Sequence, residues 1–190
     1  DRIYHLDYVP QPSGDAAAKH VSRMALSYLW HHGIPWDEDL PPVAYLCADE
    51  RSMLNSMLTN RINSPLTSSM GRLFDAVSSL LGVCQLSTYE GQAAIELEAI
   101  ADPNVSGSYC FPFDRNIIRT KQVISDVIID CRAGVPRGII AAKFHNSVVN
   151  LIASLAGKIR SDKGLNKVAL SGGVWQNIYL LERTIQKLNM

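Results

Sequence analysis

Apolar residues recur at helical spacing through most of the chain, and the breaks between the runs carry glycine, proline or capping residues. Ser13-Gly14-Asp15 reads as a turn ending at a helix cap, and Val21, Met24, Ala25, Tyr28 and Leu29 then form one helix face that stops at Gly33. A proline-bearing connection over 34–42 leads to a shorter helical stretch over 53–58. Asn63-Ser64-Pro65 opens the way to a helix from Ser68 that ends at Gly82. Its buried stripe is Met70, Leu73, Phe74, Val77, Leu80 and Leu81, and the opposite face carries Ser68, Gly71, Arg72, Asp75 and Ser79. Residues 90–101 read as a helix with Ala94, Leu97 and Ala101 inward and Glu96 and Glu98 outward. A short hairpin over 109–113 and 116–120 precedes two helices, over 123–132 and 137–160, the second burying Ile140, Phe144, Val148, Leu151, Ile152 and Leu155. A β-type run at Val168 comes last, followed by a glycine turn and a helix. The pattern predicts one compact unit of the mixed α/β class, rich in helix and with few strands.

Size and composition fit that picture. The chain has 190 residues, 47% of them hydrophobic, and its 18 basic residues are matched by 18 acidic ones. Zero formal charge argues against general affinity for nucleic-acid backbone, so no nucleic-acid partner is expected. Lys158, Arg160, Lys163 and Lys167 around Gly164 read as a solvated helix end. No uninterrupted apolar run reaches the roughly 18 residues of a membrane span, and no basic segment followed by an apolar one opens the chain. A cytoplasmic protein without a membrane partner is the expectation. The chain starts at Asp1 and stops at Met190, one helix after a strand, so it is expected to be a piece of something longer.

The stretch Lys167-Val168-Ala169-Leu170-Ser171-Gly172-Gly173-Val174-Trp175-Gln176-Asn177 carries the strongest chemical signal. A strand, a double glycine and a helix N-terminus in that order leave backbone N–H groups free to meet an anion, most often a phosphate. Gly173 and Asn177 stand one turn apart there, as Gly71 and Asp75 do in the Ser68 helix. A glycine lets a ligand approach the backbone, and an amide or carboxylate one turn on can bond ribose hydroxyls or base edges. Two such pairs are consistent with one nucleotide clamped by two helices. A solvated helix face with a tolerated glycine gives the same pattern.

Other chemistry has less support. Cys47, Cys84, Cys110 and Cys131 form no closely spaced pair and are expected to be reduced, buried and inert. His5, His20, His31, His32 and His145 include no pair at i, i+4, and adjacent histidines on a helix point apart, so no metal site is expected within the chain. His145 reads as a satisfied, partly buried histidine. Ser171 lacks the G-x-S-x-G elbow of a hydrolase nucleophile, and Glu96 and Glu98 diverge too far for paired carboxylate catalysis.

Four motifs in register resemble one family. Residues 67–77 (TSSMGRLFDAV), Tyr89-Glu-Gly-Gln-Ala-Ala94 with Leu97-Glu98, Phe144-His145, and Leu170-Ser-Gly-Gly-Val-Trp-Gln-Asn177 are similar in order and spacing to the HypF carbamoyltransferases, over nearly the whole chain. The resemblance implies the second half of a TsaD-like carbamoyl-transfer domain of the actin/sugar-kinase/Hsp70 (ASKHA) fold. It implies that the full protein uses carbamoyl phosphate and ATP to form carbamoyl-adenylate. The carbamoyl group then passes to a C-terminal cysteine of a HypE-like acceptor, in [NiFe]-hydrogenase maturation. By the same resemblance Gly71, Asp75, Gly172, Gly173 and Asn177 are nucleotide contacts, and Asp15 matches the family's Gly-Gly-Asp-Ala-Ala turn. Ser13 here replaces that turn's first glycine, and His20-Val21 replaces its Glu-Pro.

The family's divalent-metal ligands belong to segments before Asp1 and after Met190, so the resemblance implies no metal ligand and no turnover by this chain alone. No catalytic residue is assigned, because the partner supplies the sulfur. An ASKHA-type phosphotransferase or ATPase lobe, and a non-catalytic helical docking module, are the competing readings.

Overall fold

The computed structural model describes residues 2–14 and 16–189. The Asp15 assignment therefore lies outside the described residues. Two short strands, β1 (His5–Leu6) and β2 (Val9–Pro10), lead through α1 (Ala16–Lys19) into α2 (Val21–His32), which Gly33 ends in the left-handed conformation as its apolar pattern predicts. Then come α3 (Pro41–Tyr45), α4 (Ala48–Asn60), β3 (Leu66–Thr67) and α5 (Met70–Leu80). The Ser69 hydroxyl accepts from Arg72 N and caps α5. After α6 (Gln92–Ala99), the predicted hairpin forms as β4 (Phe113–Asp114) antiparallel to β5 (Ile117–Ile118), and β1 joins β5 in parallel. β2 pairs with β3. The chain closes with α7 (Lys121–Arg132), α8 (Arg137–Lys163), a 3₁₀ turn (Gly173–Gln176) and α9 (Ile178–Leu188).

The organising element is α5. It packs against α2, α3, α6 and α7, while α8 lies across α6, α7 and α9. Phe74 and Phe144 meet edge to face at 4.8 Å between ring centroids, joining the two halves of one core. The solvated-face reading of α5 does not hold: every residue from Leu73 to Leu80 is buried, including Asp75, Ser78 and Ser79.

Three further expectations need correction. The run at 167–171 forms no strand among the described residues, and Val168 stands half exposed. A β pattern needs a neighbouring ladder to become a strand, and none pairs with this run. By length and composition α8 is apolar enough to cross a membrane, but most of its apolar window is buried against the rest of the fold, as a core helix is. Its apolar residues are broken up by Lys143, His145-Asn146-Ser147 and Asn150, so a count of uninterrupted runs passes over the helix. Finally, Cys47 and Cys110 are exposed, Cys84 is buried and Cys131 half-buried, all four being free.

Gly138, near the start of α8, is fixed by packing. A Cβ there would lie 2.7 Å from the Ile100 carbonyl oxygen, and the Gly138 carbonyl accepts from Asp102 N at 3.1 Å. Gly138→Ala is expected to destabilise the fold by about 1–3 kcal/mol despite alanine's better helix propensity, because backbone must shift. Its urea midpoint measured against wild type checks this.

Candidate nucleotide site

The N-terminal turn of α5, the start of α6 and the 171–177 segment enclose a cavity of about 610 Å³. Gly71, Asp75, Gly172, Gly173 and Asn177 all line it, so the structure brings together five of the six residues singled out from the sequence. Only Asp15, outside the described residues, is not placed. Near it, Ser13 has φ +69° and Gly14 φ +55°. The serine thus holds the left-handed backbone that explains a glycine at that position in the resembling motif.

The backbone demands glycine at only one of these positions. Gly172 has φ +98°, which L side chains avoid. A Cβ on Gly172 or Gly173 would meet nothing within 4 Å, and one on Gly71 only Ser69 Oγ at an ordinary 3.5 Å. Gly71 therefore costs the helix about 1 kcal/mol relative to alanine without relieving any contact inside the chain. The room it leaves opens on the cavity.

Asp75 is 4% exposed, and its Oδ2 is buried without a hydrogen-bond partner. The Arg72 guanidinium stands 3.1 Å away as an ion pair, in an orientation that makes no hydrogen bond to it. Burial pushes the carboxyl up to about 6, with Arg72 opposing the shift. An unsatisfied carboxylate on a cavity wall has acceptor capacity for a ligand's hydroxyl or amino group.

Asn177 is differently employed. It does not share a helix with Gly173: the 3₁₀ turn ends before it, and Asn177 is the N-cap of α9. Its Oδ1 accepts from Leu180 N at 2.8 Å, and its Nδ2 lies 2.9 Å from His145 Nε2. His145 is fully buried, and its Nδ1 lies 2.7 Å from the Ala141 carbonyl oxygen, which can only accept. The proton therefore sits on Nδ1, and Nε2 accepts from Asn177. Burial holds this imidazole neutral, its pKa lowered to about 4. The Glu98 carboxylate, read from the sequence as outward, accepts from Tyr179 N at 2.9 Å. The N–H groups of Tyr179 and Leu180 in the first turn of α9 are thus already bonded. The backbone N–H groups that a phosphate could meet are those opening the 3₁₀ turn, which has no internal acceptor for them.

Sequence reasoning also missed the third wall, where Glu90, Gly91, Ala94 and Glu98 of the α6 segment line the cavity, together with Arg72. The Tyr89-Glu-Gly-Gln motif was the available signal, with Gly91 left-handed at φ +79°. A second expectation fails at the end of α2. His31 and His32 do not diverge: their ring centroids are 4.9 Å apart, and ligand atoms of His31, His32 and Asp7 lie within 4.8 Å of one another. Among the described residues, the cavity itself gathers no such group of three. Its residues do not by themselves fit a metal.

This helix-rich α/β lobe with a glycine-lined cavity matches a family model over residues 1–190, described as the carbamoyltransferase Kae1-like domain, second subdomain. The chain belongs to that HypF carbamoyltransferase family. It is 36% identical to the carbamoyltransferase HypF of Synechocystis sp., covering 98% of this chain and 26% of the relative. To the probable carbamoyltransferase HypF of Methanocaldococcus jannaschii it is 31% identical, covering 96% and 24%. The chain thus spans about a quarter of the length of these relatives. A crystal structure of full-length HypF in the phosphate- and nucleotide-bound form superposes at TM-score 0.87 with 36% identity, over 100% of this chain and 30% of that one. The T. kodakarensis HypF structure superposes at 0.85 with 25% identity, over 100% and 26%. These matches are consistent with an ASKHA-type fold.

Proposed function

We propose that this chain is the part of a HypF-type carbamoyltransferase that holds an adenine nucleotide, as ATP or carbamoyl-adenylate. It would form one unit, residues 1–190, the second half of a TsaD-like domain. The single observation that carries the reading is the cavity at Gly71, Gly172 and Gly173, roomy where no contact within the chain requires room, with Asp75 on its wall. That one solved relative holds phosphate and nucleotide supports it.

In this reading the 3₁₀ turn faces the phosphate side and Asp75 accepts from ribose or base. Asn177 positions the wall by capping α9. The intact protein would cleave carbamoyl phosphate with water to carbamate and phosphate, and the carbamate oxygen would attack the α-phosphorus of ATP, forming carbamoyl-adenylate as pyrophosphate leaves. A thiolate on a HypE-like acceptor then attacks the carbamoyl carbon, the C–S bond forms as the C–O bond to phosphate breaks, and AMP leaves. Orientation of the mixed anhydride is the contribution of this chain's residues. A divalent metal, held by residues outside this chain, belongs to the same proposal, as do a cytoplasmic location and the absence of nucleic-acid or membrane partners.

The test is calorimetric titration of the folded chain with ATP and with a non-hydrolysable adenylate, using Gly71→Ala. The added methyl is expected to raise helix stability by about 1 kcal/mol while weakening nucleotide at least about tenfold through lost space. Undiminished binding would refute the assigned cavity, and no binding by the folded wild type would favour the docking-module reading. Phosphate release without carbamoyl transfer by the intact protein would favour a phosphotransferase. The chain alone is expected to bind without turnover.

A further inference from the structure

The C-terminal end of α2 gathers three groups that the nucleotide reading does not use. Asp7 follows β1, His31 and His32 are the last residues of α2, and none of the three lines the glycine cavity. We propose that Asp7, His31 and His32 form a binding site for a divalent transition-metal ion of the zinc type.

Successive side chains in a helix point about 100° apart, which normally separates adjacent histidines. Here the ring planes stand at 71° with centroids 4.9 Å apart, and a ligand atom from each ring and from Asp7 falls within 4.8 Å of the others. Bonds of about 2.0–2.2 Å around a tetrahedral ion place ligand atoms roughly 3.3 Å apart, so the cluster must close by about 1.5 Å at most. His31 is exposed and, among the described residues, its ring makes no hydrogen bond, so a rotation of that ring would supply both the closure and a path for the ion.

The other two ligands are already held. The Thr120 hydroxyl donates to Asp7 Oδ1 at 2.7 Å, Thr120 N lies 3.3 Å from both Asp7 oxygens, and His32 Nε2 is 2.9 Å from the same hydroxyl. One outer residue thus orients a carboxylate and an imidazole together, as outer partners do in metal sites. Arg119 and Lys121 are the cations acting on His31 and His32, and Arg119 is itself 3.8 Å from Asp114. Two imidazoles and one carboxylate suit zinc, cobalt or nickel better than magnesium, which prefers oxygen ligands alone. A bound ion would tie the segment after β1 to the end of α2 and leave further positions to solvent.

Zinc chloride titrated into the 190-residue chain, with magnesium chloride as control, is expected to bind at one equivalent. At a hundredfold excess over Kd it should raise Tm by about 5–10 °C, reversibly with chelator. Cobalt should give the visible absorption of a low-symmetry N/O site. His31→Ala removes an exposed ligand without touching the core and should abolish both signals, while Asp7→Asn should weaken them at least about tenfold. No saturable zinc binding, or zinc binding unchanged in His31→Ala, would overturn the site.

Discussion

Asp75→Asn is expected to make the protein more stable and its nucleotide binding weaker. The carboxyl is buried, carries an oxygen without a hydrogen-bond partner, and has its pKa raised from the usual carboxylate range to about 6. Burial is the larger influence and Arg72 only partly offsets it. Ionised Asp75 is thus a cost to the fold above pH 6, and a neutral amide of the same shape removes it. Because Arg72 loses its partner, the expected gain is roughly 1–2 kcal/mol at pH 8. If Asp75 accepts from the nucleotide, hydrogen bonds to a charged group are lost, weakening binding by about ten- to a hundredfold.

The pH dependence separates this from a generic effect. The folded pKa lies above the unfolded one, so as pH rises the unfolded chain ionises first, and the penalty grows between about 3.8 and 6. The advantage of the asparagine variant should be complete above pH 7 and vanish near pH 4. Urea unfolding of both proteins at pH 8 and pH 4.5, with nucleotide titration at pH 8, tests both halves. A variant less stable at pH 8, or one that binds nucleotide as wild type does, would mean that Asp75 is a structural residue.

The elements that repeat one face were legible in the sequence, and those that depend on a distant neighbour were not. The apolar stripe of α5 and the glycine stop of α2 are local patterns, and both form as read. That α5 is covered on its polar side follows only from where α6 and the 3₁₀ turn lie against it. Glu98 was read as outward because the periodicity of α6 says nothing of α9, whose first turn it caps. The β pattern at Val168 is equally local, whereas a strand exists only with a partner. His31 and His32 were assigned diverging directions by helical geometry, which says little about rings at a helix end that ordered contacts can turn together. That the glycines and Asp75 share one cavity wall was foreshadowed in the sequence, because each departs from what a buried helix or a plain loop needs. Asn177 was found for its position, but its role as a cap and a histidine partner needed the three-dimensional path of α8.

Asn177→Ala is expected to destabilise the fold by about 2–4 kcal/mol, since it removes an N-cap and strands a buried acceptor at once. Leu180 N loses the side-chain oxygen, and His145 Nε2 loses its donor in a site without exposure. Asn177→Asp tells the two losses apart. An aspartate caps α9 as well as asparagine does, but it presents oxygen where Nδ2 now donates to Nε2. Two acceptors facing each other in a buried site repel unless His145 takes a proton. In wild type the folded His145 pKa is lowered to about 4 from the 6.5 of an ordinary histidine, so its contribution is fully present above pH 6.5 and lost as pH falls toward 4. In Asn177→Asp the folded pKa is raised instead, and the contribution is lost as pH rises through it. Measured as a difference from wild type, which cancels the opposite trend of Asp75, the variant should gain on going from pH 8 to pH 5.5, while Asn177→Ala should not. Urea midpoints at the two pH values decide it, and parallel curves for both variants would mean that the Asn177–His145 contact is not coupled to the fold.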